Sequence, residues 1–353
     1  MKMKAFVCFI LACTLLFSVA AFAQETMVSE LNRADSVLSA AIVLSDGSLV
    51  CLGGDTVGGP PDNSWLTRFS KAGEVMWEIA AEENQSFEAV LLNFSDVPCF
   101  MYYDKMKGND VLCLVNDAGV IETGIDLPRY GYGAVVNGSI WLIGYEGDEM
   151  YVSCYDKALE TVWETKLTAQ NETATIKEAE NGAVLMMTNQ AGHAMRFIEI
   201  NMDGKETAHV NCKPDLVADD FIVQAESLII LAHDLNADKE YGNPYLVEVN
   251  RKTAHEQWKK KVNAKPSDEL YYIYPNGTGY LLAGNHFDEN GVDAPTILLF
   301  ADDKGEINNS VTYPHYNLSS ASAIVTTARG YVLVGTNRDA QNATGIGYTT
   351  LAR

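Results

Sequence analysis

The chain has 353 residues, and 47 Asp and Glu against 25 Lys and Arg give it a net charge of −22 at pH 7. Hydrophobic residues make up 47% of the sequence, which is typical of a folded globular protein and excludes an acidic disordered tail. The negative charge argues against binding to nucleic acid or to an anionic membrane, because both require a basic surface.

The first 23 residues have the pattern of a signal peptide. Lys2 and Lys4 precede an apolar run, and Ala21-Phe22-Ala23 supplies the small residues at which a signal peptidase cleaves. The alternative is a retained membrane anchor, although the run is short for a spanning helix. The sequence therefore predicts an exported protein, secreted or at the exterior of the cell envelope. Residues 24–353 are expected to form one domain that is not inserted in a membrane after cleavage.

Five cysteines follow the predicted cleavage site: Cys51, Cys99, Cys113, Cys154 and Cys212. The number is odd and no C-x-x-C pair occurs, so the sequence implies neither a disulfide framework nor a zinc site. Buried free thiols are the preferred interpretation. A Cys99–Cys113 bridge stays open as an alternative, because a hairpin that folds about Met106 would place these residues opposite each other.

A repeat of roughly 41 to 53 residues runs along the chain. Each unit starts with an alternating strand, a tight turn and a more apolar strand, and turns such as Asn137-Gly138 strongly indicate a two-residue hairpin. The seven units begin with Ser39–Gly54, Phe87–Tyr103, Tyr132–Tyr145, Thr173–Asn189, Phe221–His233, Tyr271–Asn285 and Ser322–Thr336. This period is that of a four-stranded propeller blade.

Third and fourth strands follow the first two in most units. Third strands are predicted at Trp65–Ser70, Val111–Asn116, Tyr151–Asp156, Met195–Asn201, Tyr245–Asn250 and Ile297–Asp302, and fourth strands at Val75–Ala80, Thr161–Leu167 and Glu256–Val262. The seventh unit stops after its third strand, and Thr26–Leu31 is predicted to supply the missing one. The predicted fold is an all-β, seven-bladed β-propeller of four-stranded antiparallel blades, its last blade closed by the N-terminal strand.

A tryptophan recurs in the predicted fourth strands of the first, third and fifth units. The segment Ser70-Lys71-Ala72-Gly73-Glu74-Val75-Met76-Trp77, and more loosely Asp156–Trp163, resembles the quinoprotein-like (PQQ-like) and related secreted bacterial propellers. In that superfamily a blade tryptophan docks against the neighbouring blade. The resemblance implies the fold and no activity. No residue marks a quinone site, and no cofactor is expected.

The longer predicted loops, between second and third strands, share one face of the ring, and a ligand site is expected there. Three histidines start equivalent loops in consecutive units: His193, His233 and His286. As metal ligands they would need carboxylate partners, for which Asp234 and Asp288 are adjacent. The alternative is that these are solvated loop histidines.

The loop from Asp234 begins like a calcium loop, with Asn236 and Asp238 at alternate positions. Lys239 then replaces the turn glycine, and Tyr245 stands where a bidentate acid is needed. The sequence therefore predicts weak calcium binding or none.

The sequence contains no G-x-S-x-G, H-E-x-x-H or phosphate-loop motif. The leading hypothesis is a monomeric, secreted, non-enzymatic scaffold that presents a loop-rich face to a protein, peptide or glycan. One alternative is a glycan-active hydrolase or lyase with acidic residues in the central funnel. Two carboxylates converging in a pocket, at least one with a shifted pKa, would favour that enzyme. Another alternative is a structural module of the cell envelope.

Overall fold

The computed structural model describes residues 36–55, 63–127, 131–146, 149–168, 172–189, 195–212, 216–234, 242–262, 264, 268–286, 296–312, 320–327, 330–338 and 344–352. This part of the chain folds into antiparallel β-sheets whose strands pair in chain order. It contains no helix with the length and apolar character needed to cross a membrane.

The described residues form six four-stranded blades and a three-stranded terminal sheet. The first three blades contain β1 (Ser36–Val43), β2 (Leu49–Asp55), β3 (Trp65–Phe69), β4 (Val75–Ala80); β5 (Gln85–Phe94), β6 (Val97–Asp104), β7 (Asn109–Val115), β8 (Ile121–Leu127); and β9 (Gly133–Val136), β10 (Ser139–Glu146), β11 (Glu149–Tyr155), β12 (Thr161–Thr168). The next three contain β13 (Glu172–Ala179), β14 (Gly182–Asn189), β15 (Met195–Asn201), β16 (Glu206–Cys212); β17 (Leu216–Val223), β18 (Ser227–Asp234), β19 (Pro244–Asn250), β20 (Glu256–Lys261); and β21 (Asp268–Asn276), β22 (Gly279–His286), β23 (Thr296–Ala301), β24 (Ile307–Thr312). The terminal sheet contains β25 (Ser320–Thr327), β26 (Gly330–Arg338) and β27 (Thr344–Ala352).

The prediction of seven four-stranded blades is wrong, because the structure has six blades. The seventh repeat supplies only the three strands of the terminal sheet, and no fourth strand pairs with β27 among the described residues. Thr26–Leu31, predicted to close the last blade, and the predicted signal peptide at 1–23 lie outside the described part of the chain.

Among the described residues, seven hydrophobic clusters, one at each interface between neighbouring sheets, hold the ring together. Five of them join consecutive blades from the first to the sixth. Leu333 of the terminal sheet packs against Leu281 of the sixth blade, and Val334 packs in a cluster with Leu49 and Trp65 of the first. The first strands of neighbouring sheets contact one another, so they line the centre of the ring. Apolar packing through the terminal sheet therefore closes the circle.

The hairpin turn at Asn137-Gly138 has the backbone conformation that the sequence predicted, whereas the turns at Gly47, Gly182 and Gly277 have positive φ at the glycine alone. Asn137 and Gly138 have φ angles of 48° and 74°, as a type I′ turn requires. Ser95 and Asp96 take the same conformation without glycine, at 54° and 66°. We call the face that carries the turns after first and third strands the turn face, and the opposite one the loop face.

Each blade also has a side chain that shapes the turn between its third and fourth strands. In all six, an oxygen of the residue at the start of the turn accepts a hydrogen bond from the backbone N–H two residues later. These residues are Ser70, Asn116, Asp156, Asn201, Asn250 and Asp302.

Three tryptophans dock from one blade onto the next, as the resemblance implied. A β-carbon added at Gly119 would lie 2.8 Å from Cγ of Trp77, and one at Gly204 would lie 2.6 Å from the Trp163 ring. Trp258 covers Gly305 in the same way. Each glycine belongs to the third-to-fourth turn of the following blade, with φ of 77° or 78°. Only glycine combines this backbone conformation with so close an approach of the ring.

The corresponding turn position of the third and fifth blades is not glycine. Leu159 and Ala254 have positive φ there, at 59° and 54°. Leu159 is 3% exposed and fills the interface between the second and third blades with its own side chain. From the first blade to the sixth, interfaces with a tryptophan docked on glycine therefore alternate with interfaces without one.

Replacing Gly119 with alanine is expected to lower the free energy of unfolding by about 2–3 kcal/mol, because left-handed backbone strain adds to overlap with Trp77. Gly138→Ala is the matched control: its φ is 74°, and an added β-carbon meets nothing within 4 Å. Strain alone should cost this control about 1 kcal/mol. Urea unfolding of both variants measures the difference, and equal losses would show that the tryptophan contact contributes nothing.

The hairpin of the second blade settles the arrangement of two thiols. Cys113 pairs with Phe100 and Cys99 pairs with Leu114, one residue away from the register in which the cysteines face each other. The side chains consequently point to opposite faces of the sheet, Cys113 toward the first blade and Cys99 toward the third. Both thiols are buried and free, as the preferred interpretation predicted, and so are Cys51 and Cys154.

Candidate functional site

On the loop face, the described residues are mainly the ends of strands. Most of its longer loops lie outside the described residues, namely 56–62, 190–194, 235–241, 287–295 and 339–343. His193, Asn236, Asp238 and Asp288 are in or beside these segments and are likewise outside. The candidate site therefore consists of side chains at the loop-face ends of the fifth and sixth blades.

His233 lies near the end of β18 and is bound to a carboxylate of the adjacent strand. Its Nδ1 is 2.9 Å from one carboxylate oxygen of Asp219 and 3.1 Å from the other. Both side chains are 15% exposed. The hydrogen bond with Asp219 raises the pKa of His233, burial opposes the rise, and the charges of Asp219, Asp234 and Glu269 add to it. Burial raises the pKa of Asp219, and His233 counteracts that effect.

The sixth blade has a second histidine–carboxylate contact, at the register position that Asp234 occupies in the fifth. His286 ends β22, and its Nδ1 contacts a carboxylate oxygen of Asp268, the residue paired with it at the start of β21. The Asp268 side chain is 2% exposed and that of His286 24% exposed. Both histidines stand at loop-face strand ends, one residue apart in register, and their carboxylate partner in the described structure is not the adjacent aspartate.

Asp234 is held by the other end of its own loop. Its carboxylate accepts the backbone N–H of Asn243 at 2.5 Å and the Asn243 side-chain amide at 3.0 Å. Burial disfavours its charge, but these hydrogen bonds outweigh burial and lower the pKa of Asp234. Within the described residues no three His, Cys, Asp or Glu side chains gather as a metal would require.

Two further side chains complete the group at this mouth of the ring. The hydroxyl of Tyr271 donates to the carboxylate of Glu269, on the innermost strand of the sixth blade. The charge of Glu269 raises the pKa of His233, so charged groups of the fifth and sixth blades interact here. We define the mouth cluster as Asp219, His233, Asp234, Asp268, Glu269, Tyr271 and His286.

A β-bulge positions the residues that sequence reasoning missed. The pairing of β17 with β18 shifts at Asp219, and that of β21 with β22 shifts at Tyr271. The same shift occurs at Ser39 in β1 and at Ser322 in β25, so it is a repeated feature of the innermost strands. A bulge inserts one residue and redirects the following side chains. The period-two pattern of a strand carries no signal for that extra residue.

Asp220, the residue after the bulge in the fifth blade, ties three blades together. It is 5% exposed. Its carboxylate lies 2.9 Å from Nζ of Lys177 in the fourth blade and accepts the backbone N–H of Ile273 in the sixth at 3.1 Å. It also accepts the N–H of Phe221 at 2.9 Å. This buried contact fixes the frame that carries the mouth cluster.

Cavities lie between blades on the turn face, and two of those that the described residues line are bordered by an arginine. One, of about 460 Å³, lies between the first and second blades beside Arg68, whose guanidinium binds Asp46 at 2.9 Å and Asp117 at 2.7 Å. The other, of about 370 Å³, lies beside Arg251, which binds Glu199 at 2.8 Å and two backbone carbonyls. Each arginine thus has carboxylate or carbonyl partners of its own chain and stabilises an interface between blades.

Comparison with known proteins supports the fold alone. No protein-family model matches the chain, and no curated protein matches it in sequence. Among solved structures, the β-propeller domain of the Trilobed protease from Pyrococcus furiosus, described as having an open velcro topology, matches with a TM-score of 0.61 and 10% identity over 90% of this chain and 94% of that one. The CNH domain of AfRom2 matches with a TM-score of 0.55 and 8% identity over 93% of this chain and 99% of that one.

A peptidase is also similar in structure. The acylaminoacyl peptidase of Pyrococcus horikoshii matches with a TM-score of 0.59 and 9% identity over 88% of this chain. The match covers 50% of the peptidase, so the chain spans about half the length of that protein. These structural matches establish a β-propeller fold. At identities this low they do not indicate a shared activity.

Proposed function

We propose that this protein is an exported, non-enzymatic β-propeller that binds a protein, peptide or glycan through the mouth cluster. The observation that carries the proposal is a histidine–carboxylate contact at the loop-face end of each of two neighbouring blades. Side chains that are 15–24% exposed and fixed by hydrogen bonds on rigid strand ends are suited to contact a ligand.

The charge of the mouth cluster favours a ligand that carries positive charge. The cluster holds four carboxylates against two imidazoles; the charge of Lys261 acts on one of them, Asp234, and Lys177 of the fourth blade is already bound to Asp220. A peptide with lysine or arginine side chains complements this arrangement, because complementary charges guide and orient the encounter. Basic peptides are therefore the ligand class we favour over neutral glycans.

The remaining parts of the proposal rest on the sequence. The charged and apolar pattern of residues 1–23 supports export, and we propose a monomer that is not inserted in a membrane. The three tryptophans docked on glycine support a relationship to the quinoprotein-like propellers of bacteria, without a quinone.

A glycan-active hydrolase or lyase is the competing function, and one pair of acids bears on it. Burial and the charge of Glu88 raise the pKa of Asp110 to about 6. Neither residue lines the two cavities described above. Within the described residues the pair therefore meets the pKa criterion for an enzyme without lining either of these cavities, and we favour binding.

A peptide and glycan array probed with the purified protein tests the proposal. We expect basic peptides to bind, and Glu269→Gln and Asp234→Asn each to weaken the best peptide about tenfold, since loss of one favourable contact of about 1.4 kcal/mol has that effect. Binding of a basic peptide should also tighten as the pH rises through the pKa of His233, because the imidazole then loses its positive charge.

Glu256→Gln is the control variant. Glu256 is exposed at the start of β20, an outermost strand, and its loss changes the net charge equally. Equal weakening by the control would mean that overall charge, and not the mouth cluster, attracts the peptide. Cleavage of a glycan, or binding of neutral glycans only, would contradict the proposal.

A further inference from the structure

Exposed apolar side chains are distributed unevenly around the ring. Among the described residues, the large exposed hydrophobic side chains all belong to the first three blades, and they are Val75, Met76, Tyr103, Met106, Val120, Ile121, Tyr132 and Val162. Single exposed apolar residues are normal on a protein surface, whereas several side by side mark a site of interaction.

Four of these side chains flank one contact between the first and second blades. Val75 and Met76 directly precede Trp77, and Val120 and Ile121 directly follow Gly119, on which the Trp77 ring is docked. Consecutive Cα atoms are about 3.8 Å apart, so the two pairs lie close to the contact on either side of it. We define the apolar patch as these four residues, which are between 39% and 55% exposed.

The other two docked tryptophans show that such a contact does not require apolar neighbours. The four corresponding positions are occupied by Thr161, Val162, Lys205 and Glu206 beside Trp163, and by Glu256, Gln257, Glu306 and Ile307 beside Trp258. At the latter interface Glu306 binds Lys260. Each of these interfaces thus has charged residues where the first has exposed aliphatic side chains. The packing of tryptophan on glycine therefore does not explain the apolar patch.

An acidic cavity adjoins the apolar patch. The turn that carries Val120 also lines the cavity of about 460 Å³ between the first and second blades. Two cations lie there: Arg68 binds two of the carboxylates, and the side chain of Lys71 packs on Gly47. The carboxylates that line the cavity outnumber these cations, and they belong to Asp46, Asp96, Asp117 and Glu122. The cavity is therefore negatively charged beside an apolar surface.

We propose that the apolar patch and this cavity bind a segment of a partner protein in which apolar side chains stand next to lysine or arginine. The apolar side chains cover the patch, and the basic ones enter the cavity, because opposite charges attract and orient the partner. A second copy of this chain does not fit, since its net charge of −22 would oppose the approach. The surface lies near the turn face and is separate from the mouth cluster.

The affinities of two labelled peptides, measured by fluorescence anisotropy, test the surface. In one peptide about four leucines precede about four lysines, and in the other serines replace the leucines. Attraction by the overall charge is common to both peptides, so the ratio of their affinities measures the apolar contact. We expect the wild type to bind the leucine peptide about tenfold more tightly than the serine peptide.

Matched pairs of variants locate the contact. Val120→Ser should reduce the ratio to about threefold, whereas Val162→Ser, at a side chain that is 58% exposed on the third blade, should leave it unchanged. Glu122→Gln should weaken both peptides about threefold, and Glu160→Gln, at an exposed acid of the third blade, should do so much less. All four side chains are exposed, so the variants are expected to keep the wild-type Tm.

Equal binding of the two peptides by the wild type would overturn the proposal, as would equal effects of Val120→Ser and Val162→Ser. A ratio that falls in Glu269→Gln and not in Val120→Ser would place the apolar contact at the mouth cluster instead. Self-association in sedimentation experiments that is lost in Val120→Ser and kept in Val162→Ser would show that a second copy covers the patch, and would also overturn the proposal.

Discussion

Asp220→Ala is expected to lower the free energy of unfolding by about 3 kcal/mol, one of the two largest effects that we predict for a single substitution. The carboxylate is buried and binds groups of the fourth, fifth and sixth blades. Alanine would leave the N–H of Ile273, in a residue that is 1% exposed, without this acceptor. It would also leave Lys177 without its partner, although that side chain is 34% exposed and regains part of its hydration.

Lys177→Met is the matched variant for this prediction. It removes the ion pair but leaves both backbone N–H groups bound to Asp220, and it should cost about 1 kcal/mol. Urea unfolding monitored by tryptophan fluorescence gives both values. If Asp220→Ala costs no more than Lys177→Met, the link between the blades is not the source of the stability.

Asp110→Asn is expected to stabilise the protein at neutral pH by about 2 kcal/mol in metal-free buffer. Burial and the charge of Glu88 raise the pKa of Asp110 from its ordinary value of 3.8 to about 6. The folded protein thus holds this proton to a higher pH than the unfolded chain does. Stability is therefore lost as the pH rises from about 4 to about 6, and the full loss persists above that range.

Urea unfolding at intervals from about pH 4 to pH 8, with EDTA present, measures this effect. The wild type and Asp110→Asn should be nearly equal in stability at the acid end and diverge as the pH rises. Glu88→Gln should recover a smaller part, because it removes the second charge but not the burial of Asp110. A variant that is less stable than the wild type at pH 8 would contradict the assignment.

The strands and turns were predictable because their signals are local. Val75–Ala80 and Met195–Asn201 have the bounds that alternation predicted, and Asn137-Gly138 forms its hairpin turn because both positions tolerate positive φ. The tryptophans of alternate blades were also visible in the sequence. Such features depend on residues within one strand or one turn.

The errors concern pairing between segments that are distant in the chain. The register of Cys99 and Cys113 was off by one residue, since symmetry about Met106 does not fix where the four-residue turn begins. Asp219 was not recognised as the partner of His233 because a bulge separates them from regular pairing. The number of four-stranded blades was wrong because it depends on what pairs beside β27, and the repeat period carries no information about that edge.

The alternation of docked tryptophans bears on which segments of such a sequence could be duplicated without losing contacts between blades. Trp77, Trp163 and Trp258 each pack on the glycine of the following blade. Leu159 and Ala254 occupy the same turn position in blades onto which no tryptophan docks. Duplicating two consecutive blades would reproduce every contact of this kind, whereas duplicating one would set a tryptophan against a leucine or leave a glycine uncovered. Across the six four-stranded blades, the unit that repeats these contacts is therefore a pair of blades.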